Sequence, residues 1–205
     1  MNKTTRLLLQ SIFLLVIYFN SSAQTQIGAD IFGAPPTRQG QKVAINNEGD
    51  IIASTTSTNI NIYKNNSGTW SLLGTNINDV VGYSVSMNND GTIVAGGNRS
   101  ANSSTGEVKV FKYSSSTDQW SQIGNTIFGE SSGDQFGSSV SLNETGTIVA
   151  VGAPRNDGSN SDTNFDGGRV KVYQYDSTSS SWIQLGSSID GLLKEYELDP
   201  LCILS

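Results

Sequence analysis

Apolar and polar residues alternate along most of the chain with the two-residue period of half-buried β-strands. One sequence segment with this pattern, called the phrase below, occurs three times, as RQGQKVAINNEGDIIASTTS at residues 38–57, DVVGYSVSMNNDGTIVAGGNR at 79–99 and DQFGSSVSLNETGTIVAVGAP at 134–154. Each copy contains an alternating strand, a four-residue turn that ends in glycine, and a nearly continuous apolar run that must be covered on both faces. The pattern therefore predicts a series of short antiparallel strands.

Two further anchors complete the repeat. A second alternating strand follows each phrase, and after it comes a tryptophan with a glycine four residues later: Trp70 and Gly74, Trp120 and Gly124, Trp182 and Gly186. Each unit thus predicts four strands, and the tryptophans recur at intervals of 50 and 62 residues. Four strands per unit of roughly 40 to 50 residues are typical of β-propeller blades, with a sandwich or a flat solenoid of hairpins as the alternative.

The predicted fold is all-β: a partial or open β-propeller of about three four-stranded blades, after a cleaved signal peptide. The predicted divisions are a signal peptide at 1–23, repeats at 24–74, 75–124 and 125–186 with a loop insertion at 155–168, and the start of a fourth repeat with an atypical tail at 187–205. Three blades cannot close a ring, because closed propellers have about four to eight blades. We therefore expect the terminal sheets to expose faces built for burial and to promote self-association.

The first 23 residues have the order of a secretory leader. Lys3 and Arg6 precede an apolar run from Leu7 to Phe19, and small residues lead to a cleavage site between Ala23 and Gln24. The run is too short for a transmembrane helix. Cleavage removes two cations from a chain whose formal net charge is −6. We expect a secreted or cell-surface protein without a transmembrane segment, and its acidity argues against nucleic acid as a partner.

The phrase at residues 134–154 carries a family resemblance. Phe136-Gly137 followed by Gly152-Ala153-Pro154 resembles the FG-GAP repeat of integrin α-subunit propellers and of exported bacterial proteins, most closely those of the Bacteroidetes type. The likeness spans about residues 26–191, although the second unit has Gly96-Gly97 in the GAP position and the first has Ser54-Thr55. In that family the motif marks strands and turns, so the resemblance implies a propeller and no common activity.

The residue inventory argues against an enzyme. The chain contains no histidine, which excludes Ser-His-Asp chemistry and histidine-based metal sites, and its single cysteine, Cys202, allows no internal disulfide. No pair of carboxylates stands out as an acid and a base. We therefore expect no catalytic residues and no cofactor-binding residues, and the cofactor is unknown apart from the calcium candidate below.

One stretch fits the opening of a calcium loop. Asp162, Asn164 and Asp166 precede Gly167 in the D-x-[DN]-x-D-G pattern, and Asp157 could add an oxygen ligand. Tyr173 occupies the position where an EF-hand supplies a bidentate glutamate. Two interpretations of this stretch are open: a calcium-binding loop and a polar loop insertion that binds no metal.

The remaining features have structural interpretations. The three tryptophans could form a sugar-stacking platform, but their fixed place in the repeat favours packing between blades. The tail LLKEYELDPLCILS leaves the repeat pattern and reads either as a cap or as the end of a truncated gene product. The sequence therefore predicts an exported, non-catalytic repeat protein that binds or adheres to an unknown protein or glycan. The alternatives are a degenerate or truncated carbohydrate-active propeller and a gene fragment without independent function.

Overall fold

A computed structural model describes residues 25–33, 37–78, 80, 82–158 and 166–191. The signal peptide and the atypical tail predicted from the sequence lie outside this part of the chain. The described residues form fifteen strands and one four-residue helical turn, α1 (Ala101–Ser104), in which Asn102, Ser103 and Ser104 have left-handed φ angles. The strands are β1 (Val43–Ile45), β2 (Ile51–Thr55), β3 (Asn59–Asn66), β4 (Thr69–Leu72), β5 (Ile77–Asn78), β6 (Ser84–Met87), β7 (Ile93–Asn98), β8 (Glu107–Ser114), β9 (Gln119–Gln122), β10 (Ile127–Phe128), β11 (Ser139–Leu142), β12 (Ile148–Ala153), β13 (Arg169–Asp176), β14 (Ser181–Gln184) and β15 (Ile189–Asp190).

The strands build three antiparallel sheets of the same design. Blade 1 runs β1-β2-β3-β4, blade 2 β6-β7-β8-β9 and blade 3 β11-β12-β13-β14. The two-residue strands β5, β10 and β15 pair with the other half of the third strand in each blade, so the outer strand is made of two pieces. The interruption falls at the repeat glycine, and Gly74, Gly124 and Gly186 have φ angles of 70°, 71° and 74°. The predicted four-stranded units and the all-β fold are confirmed.

An asparagine fixes the turn between the first two strands of every blade. The Oδ1 atoms of Asn46, Asn88 and Asn143 accept hydrogen bonds of 2.9, 2.8 and 2.9 Å from the amides of Ile51, Ile93 and Ile148. An asparagine side chain that accepts a backbone hydrogen bond in this way stabilises a tight turn. The turns also bond to one another, since the Asn47 amide donates to Asn89 O and the Asn89 amide to Glu144 O, each at 3.0 Å.

Each sheet has a forward face, turned toward the next blade, and a rear face, turned toward the preceding one. The forward faces carry aliphatic side chains, and the rear faces carry aromatic ones at the third and fourth strands. Two apolar clusters result, one between blades 1 and 2 and one between blades 2 and 3. The forward-face residues in these clusters are Ile51, Ala53, Ile60, Ile62 and Ile77 in blade 1, and Ile93, Ala95, Val108, Val110 and Ile127 in blade 2; all are buried. A single sheet thus obtains its core from its neighbours, which explains why the chain repeats one phrase.

The tryptophans join one blade to the next. Nε1 of Trp120 donates a 2.9 Å hydrogen bond to the carbonyl of Leu73, and Nε1 of Trp182 donates one of 3.0 Å to the carbonyl of Ile123. Each acceptor directly precedes the repeat glycine of the preceding blade. Trp120 and Trp182 are 8% and 5% exposed, so packing between blades, rather than a sugar platform, is confirmed for these two. We call this arrangement the tryptophan clasp.

Candidate functional site

The irregular loops of the molecule collect at one edge of the sheets, which we call the loop edge. The connection between the second and third strands lengthens from residues 56–58 in blade 1 to 99–106 in blade 2 and 154–168 in blade 3. The connection from blade 2 to blade 3, residues 129–138, lies at the same edge. Among the residues that the structure describes, the opposite edge carries the asparagine turns and short hairpins. Binding sites are found preferentially on loops that a rigid scaffold positions, so the loop edge is the candidate site.

Backbone hydrogen bonds connect the loops of blades 2 and 3. The amides of Gln135 and Phe136 donate to the carbonyls of Ser104 and Thr105 at 2.8 and 3.1 Å, and Gly106 forms a parallel bridge with Phe136. The Phe136 side chain is 3% exposed and meets the ring of Tyr173 edge-on, with centroids 6.2 Å apart. Phe136 of the FG motif therefore anchors the connecting loop in the core between the two blades.

A buried pair ties the same loop to blade 3. Asp134 and Asn156 are 4% and 6% exposed, and Nδ2 of Asn156 donates a 2.7 Å hydrogen bond to Oδ2 of Asp134. The amide of Ser131 donates to the same carboxylate oxygen at 2.9 Å, and the Asn156 carbonyl accepts from the amide of Gly168 at 2.9 Å. The connecting loop is thus bonded to the described parts of both other loops, and together these residues form a preorganised surface at the loop edge of blades 2 and 3.

An ion-pair network lies beside this pair. Glu130 bridges Lys171 and Arg169, with 2.5 Å between its Oε2 and Nη1 of Arg169. Arg169 also pairs with Asp190, with 2.5 Å between Nε and Oδ1 and 3.0 Å between Nη2 and Oδ2. The network connects the loop after β10 to β13 and β15. It is a structural joint between blades 2 and 3.

The network favours the charged forms of Glu130 and Arg169. Burial alone would raise the pKa of the Glu130 carboxyl, but hydrogen bonds from Lys171 and Arg169 and their positive charges lower it below its usual value. The hydrogen bond to Asp190 raises the pKa of the Arg169 guanidinium, against the effect of burial. Burial, with a smaller contribution from the Glu130 charge, raises the pKa of Tyr173 to about 12.

The space enclosed by these groups is small. A cavity of about 10 Å³ lies between Glu130, Asp134, Phe136, Asn156 and Arg169. Such a volume has room for about one water molecule and not for a substrate. On the outer surface of the loop edge, Asn102, Ser103, Ser131, Ser132 and Arg155 are exposed.

The structure brings together part of the predicted calcium set. The amide of Asp166 donates a 3.2 Å hydrogen bond to Oδ1 of Asp157, so these two residues meet at the base of the insertion. Asp162 and Asn164 lie outside the described residues. Among the residues that are described, no group of three or more histidine, cysteine, aspartate or glutamate side chains is close enough together to hold a metal ion. The calcium site stays a prediction, which calorimetric titration with Ca²⁺ tests.

Sequence reasoning missed the ion-pair network and the Asp134–Asn156 pair. Glu130 lies 39 residues before Arg169 and does not recur in the other repeats, so no pattern pointed to it. Lys171 did carry a signal, because Lys109 occupies the matching position of β8. In blade 2 that lysine pairs instead with Glu107, with 3.2 Å between Nζ and Oε1.

Comparison with solved structures shows the fold. A candidate 6-phosphogluconolactonase from Bacteroides fragilis matches with a TM-score of 0.55 at 13% identity, over 78% of this chain and 41% of that one. A second from Bacteroides uniformis matches with a TM-score of 0.55 at 11% identity, over 82% and 45%. The periplasmic gluconolactonase of Pseudomonas aeruginosa matches with a TM-score of 0.50 at 13% identity, over 82% and 46%.

The chain spans less than half the length of these three structures, and identities this low show the fold alone. No curated protein matches the sequence. In the part of the chain that the structure describes, none of the helices is long and apolar enough to span a bilayer.

The family comparison identifies the motif itself. Residues 129–170 match the family model of the FG-GAP repeat, so the resemblance predicted from Phe136-Gly137 and Gly152-Ala153-Pro154 is confirmed in the segment that contains both halves of the motif. In the structure this segment holds the anchored loop, the pair Asp134–Asn156 and strands β11 and β12. Residues 129–170 are thus an FG-GAP repeat, set within three blades of the β-propeller type.

Proposed function

We propose that the protein is an exported, non-catalytic binding module that presents the loop edge of blades 2 and 3 to a protein or glycan outside the cell. The observation that carries this proposal is the bonding of the connecting loop to the described parts of the other two loops, which gives one preorganised surface. A surface that is already ordered loses less conformational entropy when a ligand binds. FG-GAP repeats are typical of extracellular proteins, which supports the export predicted from the leader.

The chemistry of the surface supports a polar ligand. Its exposed residues include Ser103, Ser131, Ser132, Asn102 and Arg155. Hydroxyl and amide groups both donate and accept hydrogen bonds, and a guanidinium donates several in a fixed plane. Sugar hydroxyls and peptide groups are the ligands that match this set.

The ionisation of the carboxylates supports a non-catalytic role. A glycoside hydrolase needs a carboxylic acid with a raised pKa beside an ionised carboxylate. Among the described residues, the aspartate and glutamate side chains with a resolved change, Asp90, Glu130 and Asp176, all have a lowered pKa. Glu130 is in addition held by two cations, so it is not available as a proton donor near neutral pH.

The proposal is tested by binding and turnover measurements on the same protein sample. On glycan and cell-surface protein arrays, the wild type should retain a ligand, and Arg155→Ala should weaken that binding at least about tenfold if the guanidinium contacts the ligand. Lys112→Ala is the matched control: it also removes one exposed cation, but Lys112 lies at the opposite edge, near Asp90.

A panel of glycosides and sugar lactones completes the test. The wild type should turn over none of them. Turnover of any member, or binding that Lys112→Ala weakens as much as Arg155→Ala, contradicts a binding role for the loop edge.

A further inference from the structure

The forward face of blade 3 exposes the side chains that its two predecessors bury. Val170 and Ile189 are 39% and 63% exposed, whereas Val108 and Ile127, which occupy the same register in blade 2, are 0% and 4% exposed. The face is therefore built as one half of a joint between blades, and the described part of the chain provides no blade to cover it.

The acceptor half of a tryptophan clasp is present at the same face. Gly186 has the left-handed φ of Gly124, at 74° against 71°, and follows Leu185 as Gly124 follows Ile123. A methyl group at Gly124 would meet the ring of Trp182, but one at Gly186 would meet no atom within 4 Å. Leu185 and Gly186 thus have the backbone geometry that accepts an indole ring in the joint between blades 2 and 3, but their own site is open.

A groove marks where the next blade would insert a side chain. It has a volume of about 460 Å³, is mainly apolar and is lined by Gly152, Pro154, Val170 and Ile189 among others. Between blades 2 and 3 the Phe136 side chain occupies the same place, packed in one cluster with Val108 and Ile127.

The rear face of blade 1 presents the complementary half. Val43 and Ile45 are 68% and 61% exposed, although their counterparts Val85 and Met87 pack against blade 1. Trp70 supplies the indole, and its Nε1 donates to the carbonyl of Ile27 at 3.0 Å. Ile27 precedes Gly28, so the N-terminal segment imitates the clasp acceptor of a preceding blade.

We propose that two copies of this chain pair head to tail, with the forward face of blade 3 in each covered by the rear face of blade 1 in the other. Trp70 then exchanges the carbonyl of Ile27 for that of Leu185 in the partner. Three blades from each copy make a ring of six, within the range of about four to eight at which propellers close. The two joints are identical and related by a twofold axis, so the assembly closes at the dimer.

One residue makes this joint weaker than the internal ones. Gln39 precedes Gly40 as Phe136 precedes Gly137, and Nε2 of Gln39 donates a 3.0 Å hydrogen bond to the hydroxyl of Tyr63. The groove beside Val170 therefore receives an amide side chain where the internal joint has a phenyl ring. The dimer should dissociate on dilution, and Gln39→Phe should tighten it at least about tenfold, because an aromatic ring then fills an apolar groove.

Sedimentation velocity over a concentration series tests the proposal. The wild type should pass from the mass of one 21.8 kDa chain, less its leader, to twice that mass. Ile189→Lys and Ile45→Lys should each raise the dissociation constant at least about thirtyfold, because each buries an unpaired ammonium in the joint. Ile183→Lys is the control: Ile183 is 53% exposed in the same blade, but its counterpart Ser121 stays exposed in a completed joint, so dimerisation should be unchanged.

Mixing the two disrupted variants distinguishes the arrangements. In a head-to-tail dimer, Ile189→Lys and Ile45→Lys chains keep complementary intact faces, so their mixture should associate although neither variant does alone. If Ile45→Lys remains dimeric while Ile189→Lys does not, the forward faces meet each other and the proposal fails. A wild type that stays monomeric at every concentration also overturns it, since the face is then covered within one chain.

Discussion

A methyl group at Gly124 would lie 2.7 Å from Cδ1 of Trp182, because the two residues meet across the joint between blades 2 and 3. Gly124→Ala should therefore cost the backbone strain of a left-handed alanine, about 1 to 2 kcal/mol, and a steric term of about 1 to 3 kcal/mol. Gly186→Ala has the same φ and meets no atom within 4 Å, so it should cost only the backbone strain.

Urea unfolding at a dilution where the chain is monomeric measures the difference between these two variants. The two backbone costs cancel in the comparison, and the remainder reports the contact between Gly124 and Trp182. Equal losses of unfolding free energy would show that the tryptophan clasp does not restrict this position. The result would also decide whether the repeated glycine is kept for its φ angle or for the approach of the next blade.

At the scale of elements, the ion pairs of Glu130 make the joint between blades 2 and 3 sensitive to acid. The folded protein lowers the pKa of Glu130 below the ordinary value of 4.5, so protons bind more tightly to the unfolded chain. The stabilisation is complete above pH of about 4.5 and is lost as the pH falls through the lower, folded-state pKa. Because the Glu130 side chain is 44% exposed, solvent screens the pair and the effect stays below about 1 kcal/mol.

Glu130→Gln isolates this contribution from those of Asp90 and Asp176, whose pKa values are also lowered. The unfolding free energies of the variant and of the wild type, measured from pH 7 to pH 3, should approach each other as the pH falls. A difference that stays constant over this range would mean that Glu130 acts through packing rather than through its charge. High salt should reduce the difference at pH 7.

The repeat made the strands and the packing of the tryptophans between blades predictable, because both recur at fixed places in every unit. Three copies of the Trp-Gly spacing indicated that the tryptophans pack between blades, but not which carbonyl each indole contacts. The division of the outer strand into two pieces was missed, since Ile77–Asn78, Ile127–Phe128 and Ile189–Asp190 are too short to show a strand period. The contacts of the loop edge were missed for a different reason: Asp134–Asn156 and Glu130–Arg169 occur once and join distant positions, so they depend on tertiary structure that no local pattern records.

At the scale of the whole molecule, blade 2 is distinguished by having a neighbour on both faces. Its forward residues Val108 and Val110 and its rear residue Val94 are fully buried, whereas blade 1 exposes Val43 and Ile45 and blade 3 exposes Ile189. In a row of repeats, stability depends on the contacts of each unit with its neighbours. Blade 2 should therefore open only when the whole domain unfolds.

Hydrogen exchange of the monomer should show this order directly. The amides of β7 and β8 should exchange at least about 100-fold more slowly than those of β1 and β15, because the terminal strands open locally. Raising the concentration into the dimer range should slow exchange in β13, β15 and β1 together, while β7 and β8 change least. Equal protection in all three sheets of the monomer would contradict this view. It would mean that a sheet face without a neighbouring blade does not lower the stability of its strands, and that the joints do not determine the stability of the domain.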